Sequence, residues 1–388
     1  MVEPTQDSIE FNLRPSVVTR KLGILHTESS TGWGGQEIRI LTEIKGFRER
    51  GHRVTLICPP EAELTAAARN NGLDLVSLPI GRKSLKGLIS MRGWLGQHVA
   101  DYDVINTHSS TDSWLTALAL TTLPRKKPVV RTRHVSTAVN RSASTRWLYQ
   151  RATRHIVTTG EALRQQLHRD NDYRLEAMTS VPTGIDLARF RPLDRAACRK
   201  LLDLDTTINL IGIVATLRDW KGHAYLFEAM ARLAPRHQNW QMLVIGDGPY
   251  EPTLRAKIAA LELQTKVNFV GRQQNIPEWL NALDLFVLPS YGDEGVPQAI
   301  VQAMACALPV ISTPIGSIAE AVINGSTGLL VPPRDGTALE NALEHLIQHP
   351  ELRAEYGAAG LKHARDKFSL AQMLDRMESV FSSVAGTE

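Results

Sequence analysis

The sequence predicts an α/β protein made of two doubly wound domains that face each other across a cleft. Short apolar runs alternate with helix-like patterns, and this alternation occurs twice along the 388 residues. The apolar runs are continuous, which is typical of parallel strands that are covered on both faces. A chain of this length exceeds one small core and fits two domains of about 150–200 residues each.

The predicted strands follow from the apolar runs in chain order. In the first half they are residues 22–26, 54–58, 75–80, 104–108, 129–133 and 156–159. In the second half they are residues 210–216, 242–246, 267–270, 285–289, 310–313 and 328–331. Helix-like segments such as residues 36–50 and 111–122 separate them, which predicts parallel sheets joined by crossover helices.

The two halves meet in a segment rich in turn-forming residues. Residues 181–192 read Val-Pro-Thr-Gly-Ile-Asp-Leu-Ala-Arg-Phe-Arg-Pro. We therefore predict domains at 19–184 and 185–368. The polar start, Met-Val-Glu-Pro-Thr-Gln-Asp, does not resemble a signal peptide, and we expect residues 1–18 to form a disordered tail. No apolar run approaches the roughly 20 residues that a membrane helix needs.

Composition and charge narrow the class of protein. The apolar content of 43% and charged content of 22% are ordinary for a soluble globular protein. Cys58, Cys198 and Cys306 lack metal-ligand spacing, which favours buried thiols in a reducing cytosol. Residues 125–154 contain nine Lys or Arg and no Asp or Glu, and residues 82–94 are basic and amphipathic. Either a solvated face or attraction to an anionic membrane or a phosphorylated lipid explains these stretches. No nucleic-acid module accompanies them.

The ends of the predicted strands carry the candidate functional residues of the first half. Gly34 and Gly35 lead from the first strand into a helix, as in a tight loop or a phosphate-binding turn. The second strand ends in Cys-Pro-Pro without the carboxylate that a nicotinamide enzyme places on the ribose. His108 and His134 end neighbouring strands, either as structural residues or as ligands of a hydroxyl-bearing molecule.

The second half carries cations and carboxylates at corresponding positions. Arg218 and Lys221 follow its first strand, where they are either exposed surface cations or a diphosphate site. Glu294 follows a later strand, at the edge where open α/β sheets hold ligands. Pro297 suits a first helical position, and Gln302 then lies eight residues after Glu294, about two helical turns on and on roughly the same side.

Four segments resemble the retaining family-4 glycosyltransferases. They are the Glu294–Gln302 segment, Lys221-Gly222, Thr183-Gly-Ile-Asp and the strand-end His134. The resemblance covers about residues 21–350 and implies the GT-B architecture of two Rossmann-like domains. It also implies that a last helix, within residues 369–388, crosses back onto the N-terminal domain. The chain departs from the family at three positions, where Gln302 replaces the second glutamate, Thr216 an arginine and Ser317 a glycine.

The resemblance also implies the roles of the site residues. Arg218 and Lys221 would neutralise the leaving diphosphate without a metal or other cofactor. His134 and Glu294 would orient the sugar, with His108 as a weaker catalytic candidate. Gln302 would hold the ribose through neutral hydrogen bonds, worth about 0.5–1.5 kcal/mol each against about 1.5–3 for charged ones. The other donor-binding candidates are Gly34, Gly35, Gly246, Gly271, Arg272, Gly295 and Val296.

On this basis the sequence predicts a cytoplasmic, retaining, metal-independent glycosyltransferase. It would move a sugar from a nucleotide-sugar donor to a lipid-linked or oligosaccharide acceptor at the inner face of the plasma membrane. The resemblance implies a place in bacterial lipopolysaccharide or surface polysaccharide assembly. A nucleotide-sugar epimerase and a non-catalytic nucleotide-sugar-binding subunit are the alternatives, and product analysis without and with an acceptor separates them. The sequence does not distinguish among UDP, GDP and ADP as the nucleotide of the donor.

Overall fold

Seven parallel strands form the first sheet of the computed structural model, which describes residues 20–386. Their order is β3-β2-β1-β4-β5-β6-β7. The strands are β1 (Gly23–Thr27), β2 (Arg53–Cys58), β3 (Asp74–Ser77), β4 (Val104–Thr107), β5 (Val129–Arg133), β6 (His155–Thr158) and β7 (Met178–Ser180). The predicted tail at 1–18 lies outside the described residues.

Helices cover both faces of this sheet. They are α1 (Gly35–Glu49), α2 (Glu63–Asn70), α3 (Leu85–His98), α4 (Ser110–Thr121), α5 (Ala143–Trp147) and α6 (Glu161–Asn171). Side-chain oxygens of Ser84 and Ser109 cap the first turns of α3 and α4. All five residues of β1 are buried, as its continuous apolar pattern predicts.

The second sheet has six parallel strands in the described part of the chain, in the order β10-β9-β8-β11-β12-β13. The strands are β8 (Asn209–Val214), β9 (Trp240–Ile245), β10 (Val267–Gly271), β11 (Leu285–Leu288), β12 (Val310–Ser312) and β13 (Gly328–Leu330). The helices are α7 (Arg195–Leu201), α8 (His223–Leu233), α9 (Glu251–Ala260), α10 (Ile276–Ala282), α11 (Gln298–Ala305), α12 (Ile318–Ala321), α13 (Gly336–Gln348), α14 (Pro350–Lys367) and α15 (Leu370–Ala385).

The fold class that the sequence predicts is confirmed, with two local differences. The strand predicted at 75–80 ends at Ser77, because β3 is an edge strand followed by Pro79, which has no N–H for a ladder. The three residues of β7 were not predicted, because so short a run carries no readable pattern. The first sheet ends at Ser180 and the second begins at Asn209. The predicted domain boundary at 184/185 lies between them and stays a prediction.

The last helix, α15, packs on the first sheet rather than on the second. Its buried residues Met373, Met377 and Phe381 join the same apolar cluster as Leu22, Ile24 and other first-sheet residues. Arg50 at the end of α1 forms an ion pair with Glu378 of α15 at 2.8 Å. The segment that leads from the first sheet to the second also contacts the segment that leads back to α15, because the Ile185 N–H donates to the Phe368 carbonyl.

Candidate functional site

Both sheets place their polar strand-end residues at a point where the strand order reverses. Each sheet has the order 3-2-1-4, so the connections run in opposite directions on either side of its first strand. Open α/β sheets bind ligands in the crevice that forms at this point, beyond the carboxyl ends of the strands. We call His26, Glu28, His108, Asp112 and His134 the N-terminal site. We call Arg218, Lys221, Gly222, Glu294 and Gly295 the C-terminal site.

An ion pair forms the centre of the C-terminal site. Lys221 Nζ donates to Glu294 Oε1 at 2.5 Å, and both side chains are largely buried. Lys221 ends a short 3₁₀ helix after β8, whereas Glu294 lies in the loop after β11. Because β8 and β11 are neighbours in the sheet, residues 73 apart in sequence meet here. The remaining Glu294 oxygen and the two other ammonium hydrogens have no hydrogen-bond partner among residues 20–386.

Two glycines allow these loops to approach each other. Gly222, with φ +80°, follows Lys221, and a Cβ there would lie 2.0 Å from the Pro289 carbonyl oxygen. Gly316, with φ +58°, would place a Cβ 2.0 Å from the Glu294 carbonyl oxygen. Any side chain at either position would push the loop away, so both glycines fix where Lys221 and Glu294 lie.

Arg218, three residues before Lys221 in the chain, is an exposed cation. Its guanidinium lies 5.6 Å from the Trp220 ring and makes no ion pair with residues 20–386. Arg272, in contrast, is already engaged. It bridges Glu63 of α2 at 2.6 Å and Asp247 at 3.1 Å, and so joins the two halves of the chain. Arg218 is therefore the freer of the two arginines predicted to meet the donor.

The loops after β9 and β10 contain the predicted glycines Gly246 and Gly271. Gly246 has φ +135°, and a Cβ there would lie 2.0 Å from the Ala215 carbonyl oxygen, so the close approach requires glycine. Gly271, with φ +70°, has open space where a Cβ would stand. This open space leaves room for a planar base to lie against the backbone at Gly271.

Three imidazole rings form a hydrogen-bonded chain in the N-terminal site. His26 Nδ1 lies 2.9 Å from His108 Nε2, and His108 Nδ1 lies 3.0 Å from His134 Nε2. His26 and His108 are buried, whereas His134 is half-buried. The strands β1, β4 and β5 are successive neighbours in the sheet, which brings their carboxyl ends together. The sequence predicts His108 and His134 as site residues, whereas His26 was not predicted.

Burial keeps this chain neutral. It lowers the pKa of His26 from 6.5 to about 3. Burial, then the neighbouring His26 and His134 rings and the charge of Arg39, lower the pKa of His108 well below 6.5. Burial, then Arg39 and Arg133, do the same for His134. At neutral pH the three rings are therefore uncharged, and each carries one proton on either Nδ1 or Nε2.

Two buried carboxyl groups lie beside the histidines. Glu28 accepts hydrogen bonds from the Ser29 and Ser30 N–H groups at 2.7 Å each, and from Ser109 and Gln36 side chains. Asp112 accepts from Thr27 Oγ1 at 2.8 Å and from the His108 N–H at 2.9 Å. Burial, and then the Asp112 charge, raise the pKa of Glu28, while burial raises the pKa of Asp112.

These carboxyl groups hold the loops of the N-terminal site. Glu28 ties the end of β1 to Gln36 in the first turn of α1, across the Gly34-Gly35 loop. Gly34 itself is extended, and α1 begins without a side-chain cap in the described structure. Glu28 was not predicted, although a carboxylate that directly follows a buried strand where the strand order reverses is a signal that the sequence contains.

The two sites touch each other. A Cβ on Gly295 would lie 2.3 Å from Thr159 Oγ1 and 2.9 Å from the His134 carbonyl oxygen. Gln298 Nε2 donates to the Gly35 carbonyl oxygen at 2.5 Å, and Glu320 Oε1 accepts from the Ala162 N–H at 3.0 Å. Loops of the second sheet therefore rest directly on loops of the first.

The Glu294–Gln302 segment differs from its predicted geometry. Pro297 is extended and precedes the helix, which begins at Gln298, so the two-turn helical spacing between Glu294 and Gln302 is wrong. The Gln302 amide is half-buried and makes no hydrogen bond with the described residues. The Val296 side chain packs into the core below the second sheet, so only its backbone is left to meet a ligand.

Neither a metal cluster nor a membrane span is found in residues 20–386. No group of three or more His, Cys, Asp or Glu side chains there could hold a metal ion. No helix in the same range combines the length and apolarity that crossing a membrane requires.

Each half of the chain matches one family model. The Glycosyltransferase Family 4 model matches residues 33–189, and the Glycosyl transferases group 1 model matches residues 194–363. The boundary between the two matches falls in the segment that joins the sheets. Together they include both sites, apart from the end of β1.

Three curated relatives are mannosyltransferases by name. The lipopolysaccharide core biosynthesis mannosyltransferase LpsB of Rhizobium meliloti is 32% identical over 214 residues, which is 53% of this chain and 61% of LpsB. LpcC of Rhizobium leguminosarum bv. viciae, with the same description, is 29% identical over 63% of this chain and 68% of LpcC. A GDP-mannose-dependent phosphatidylinositol monomannoside mannosyltransferase of Corynebacterium glutamicum is 33% identical over 52% of this chain and 55% of its own length. The chain thus matches between about half and two thirds of these relatives.

Solved structures resemble the whole fold. A glycosyltransferase from Rickettsia africae ESF-5 has a TM-score of 0.84, with 20% identity, and the match covers 95% of this chain and 100% of that one. HepE from Anabaena, solved with UDP-glucose, has a TM-score of 0.82 and 20% identity over 93% of this chain and 100% of HepE. At these identities the likeness establishes the fold.

Proposed function

The chain belongs to the family-4 glycosyltransferases with the GT-B fold, and from this premise we propose that it transfers a sugar from a nucleotide-sugar donor to a hydroxyl acceptor. The nucleotide would occupy the C-terminal site and the acceptor would approach from the N-terminal site. The names of LpsB and LpcC support an acceptor in the lipopolysaccharide core.

One observation carries the proposal: the Lys221–Glu294 ion pair lies next to the contact between Gly295 and His134. A nucleotide sugar needs a cation at its diphosphate and hydrogen-bond partners at its sugar hydroxyls. Lys221 supplies the first, and the free oxygen of Glu294 supplies part of the second. Lys221 and Glu294 lie where the strand order of the second sheet reverses, next to the first sheet. A donor bound there would therefore be close to an acceptor bound at the first sheet.

The proposed reaction retains the configuration at the anomeric carbon. The bond between that carbon and the diphosphate oxygen breaks, and the acceptor oxygen bonds to the carbon from the same face. The acceptor proton passes to the departing diphosphate. Arg218 and Lys221 stabilise the charge that develops on the diphosphate, which makes a metal ion unnecessary in this proposal. Glu294 and His134 orient the sugar.

We further propose a mannosyl donor, with GDP-mannose as the first candidate. Its support is the names of three relatives, of which the Corynebacterium enzyme is called GDP-mannose-dependent. Gln302, with its unengaged amide, would hydrogen-bond the ribose diol. Backbone around Gly246 and Gly271 would flank the base.

A thermal-shift screen followed by a transfer assay tests the proposal. A donor at a hundredfold excess over its Kd stabilises the folded protein by about 2.7 kcal/mol. We expect the largest shift with GDP-mannose among UDP-, GDP- and ADP-sugars, and transfer to lipopolysaccharide core acceptors in the presence of EDTA. Conversion of the donor without an acceptor would indicate an epimerase instead, and binding without any product would indicate a binding subunit. Loss of activity in EDTA would remove the metal-independent mechanism.

We also propose that the N-terminal half docks on an anionic lipid surface through α3. Leu85 and Ile89 are one helical turn apart and are 73% and 62% exposed. Arg82, Lys83 and Lys86 are exposed beside them. Exposed apolar side chains within a basic surface match the chemistry of an anionic membrane interface.

Vesicle co-sedimentation tests this surface. The double variant Leu85→Glu/Ile89→Glu should lose binding to phosphatidylglycerol vesicles and keep its activity on a soluble acceptor. Ile323→Glu is the matched control, because Ile323 is 45% exposed and has no Lys or Arg near it in the sequence. Equal binding by the double variant and the control, or equal binding to neutral vesicles, would contradict the proposal.

A further inference from the structure

The buried end of the histidine chain has an unpaired nitrogen. His26 Nε2 is buried and has no hydrogen-bond partner among residues 20–386. The ring of Phe381 from α15 lies 6.3 Å away and perpendicular to the His26 ring. At the other end, His134 Nδ1 has no partner in the described structure, and His134 is half-buried beside the C-terminal site.

A chain of three neutral rings has two possible arrangements of its protons. In the first, each ring carries its proton on Nδ1, and each Nδ1–H donates to the next Nε2 toward His134. In the second, each ring carries its proton on Nε2 and the donation runs toward His26. The two arrangements use the same two hydrogen bonds and differ in the tautomer of each ring and in which end of the chain carries the unpaired N–H.

The surroundings of the His26 and His134 ends favour the first of the two proton arrangements. In the second arrangement His26 buries an unpaired N–H, whereas in the first it buries only an unpaired acceptor. Buried backbone N–H groups without a partner are rarer in proteins than under-used backbone acceptors, and we apply the same order to the imidazole nitrogens. An N–H···π contact with Phe381 would be second-order and offset little of that cost. The half-buried His134 end has no such preference, since water satisfies a donor and an acceptor alike.

The cations around the chain add to the effect of burial on the pKa values of His108 and His134, and they do so without pairing with the rings. Arg39 of α1 and Arg133 of β5 are the cations whose charges act on His108 and His134. Arg39 is occupied by the Val181 carbonyl at 2.7 Å, and Arg133 by the Thr137 carbonyl at 2.7 Å. The apolar surface around His26 is therefore what remains to set the direction.

We propose that His26 is a positioning residue, whose apolar surroundings orient all three protons so that His134 presents Nδ1–H as a hydrogen-bond donor. This inference rests on the proposed function for its consequence. A sugar hydroxyl that accepts from His134 keeps its own hydrogen to donate to the acceptor-only carboxylate of Glu294. The pair would thus recognise a hydroxyl and reject the corresponding deoxy sugar.

Nitrogen-detected NMR of the ligand-free protein tests the arrangement directly. In protein labelled with ¹⁵N-histidine near neutral pH, we expect the proton on Nδ1 in His26, His108 and His134. Single substitutions assign the rings. His155→Phe is the control, because His155 bonds Thr179 at 2.8 Å outside the chain and its loss should leave the three signals unmoved. A proton on Nε2 of His134, or a doubly protonated ring, would overturn the proposal.

Two substitutions of His26 then link the arrangement to catalysis. In His26→Asn, the amide can place its NH2 group at the position of Nδ1 and donate to His108, which is compatible with the first arrangement. In His26→Asp, a carboxylate in that position only accepts, which reverses the chain. We expect His26→Asp to move the His134 proton to Nε2 and to lower kcat/KM about tenfold, the loss of roughly one hydrogen bond. His26→Asn should stay within about threefold of the wild type.

The outcomes separate this inference from the proposed function. The NMR measurement uses the protein without a donor, so it tests the proposed proton arrangement even if no sugar is transferred. The wild-type spectrum alone is decisive, so the test remains valid even if neither variant folds. Equal kcat/KM in the two variants, or a loss in His26→Asp without a change of tautomer, would show that His26 acts only as a packing residue.

Discussion

The two sites occupy equivalent places in two sheets of the same strand order, yet their chemistry is opposite. The C-terminal site holds an ion pair, Lys221–Glu294, and an exposed arginine, Arg218. The N-terminal site holds neutral, buried histidines and two carboxyl groups that are saturated with hydrogen bonds. Strand order fixes where a ligand binds, and the residues at the strand ends decide which part of the reaction each site performs.

Removing the charge of Glu294 should have the largest effect. Glu294→Gln leaves Lys221 without its partner and replaces charged hydrogen bonds by neutral ones. Each such replacement costs roughly 1 kcal/mol, and the largely buried Lys221 ammonium also loses its partner, so we expect kcat to fall roughly 10- to 100-fold. Steady-state kinetics measure this change. Asp293→Asn, the exposed neighbouring carboxylate, is the control, and an equal loss there would remove the special role of Glu294.

Separating the two sites should have the next largest effect. In Gly295→Ala the new methyl group would lie 2.3 Å from Thr159 Oγ1 and 2.9 Å from the His134 carbonyl oxygen. Displacing one site by a few tenths of an ångström should lower kcat/KM about tenfold, since misplacement by 1 Å costs about a hundredfold. Gly93→Ala adds a methyl group in open space and should be neutral. Full activity of Gly295→Ala would show that the sites need not touch during turnover.

Acid should destabilise the protein through the N-terminal site. Burial lowers the pKa of His26 from 6.5 to about 3, so between these values the unfolded chain binds a proton that the folded chain does not. The contribution of His26 to the free energy of unfolding therefore falls as the pH falls from 6.5 toward 3, with a slope of about 1.4 kcal/mol per pH unit. Urea unfolding should give a shallower pH dependence in His26→Phe by about this amount.

Glu43 provides a control of opposite sign for the pH dependence. Burial raises its pKa to about 7, so at lower pH the folded chain holds a proton that the unfolded chain releases down to its ordinary pKa. Glu43→Gln should therefore steepen the loss of stability between pH 7 and its ordinary pKa. Identical pH profiles for the wild type and His26→Phe would contradict the neutral, buried histidine chain.

Restoring the missing glutamate should have the smallest effect. Gln302→Glu adds a charge to the proposed ribose contact, where a charged hydrogen bond exceeds a neutral one by roughly 1 kcal/mol. Donor affinity should stay equal or tighten severalfold, as titration calorimetry would measure. A large loss of affinity would mean that Gln302 is not at the ribose.

More of the C-terminal site than of the N-terminal site could be predicted from the sequence. Lys221 and Glu294 each follow a strand of clear apolar pattern, and the order of the strands brings them together. The direct ion pair between them was not foreseen, because distances between loops depend on turns such as those at Gly222 and Gly316.

The N-terminal site shows where single-sequence reasoning stops. His26 lies inside an apolar strand, where a polar residue resembles an isolated exception, and its meaning appears only when His108 is found 2.9 Å away. The helical spacing assigned to Gln302 failed for a similar reason. Pro297 precedes the helix instead of starting it, which the sequence pattern does not distinguish.

Nucleotide binding by two matched variants tests the division of labour between the sites most directly. Titration calorimetry with GDP and UDP should be run on the wild type, Lys221→Met and His134→Phe. We predict that Lys221→Met weakens binding of the preferred nucleotide about tenfold or more, because a charged contact to the diphosphate is lost, while His134→Phe stays within about twofold. Undiminished binding in Lys221→Met, or an equal loss in both variants, would contradict the account.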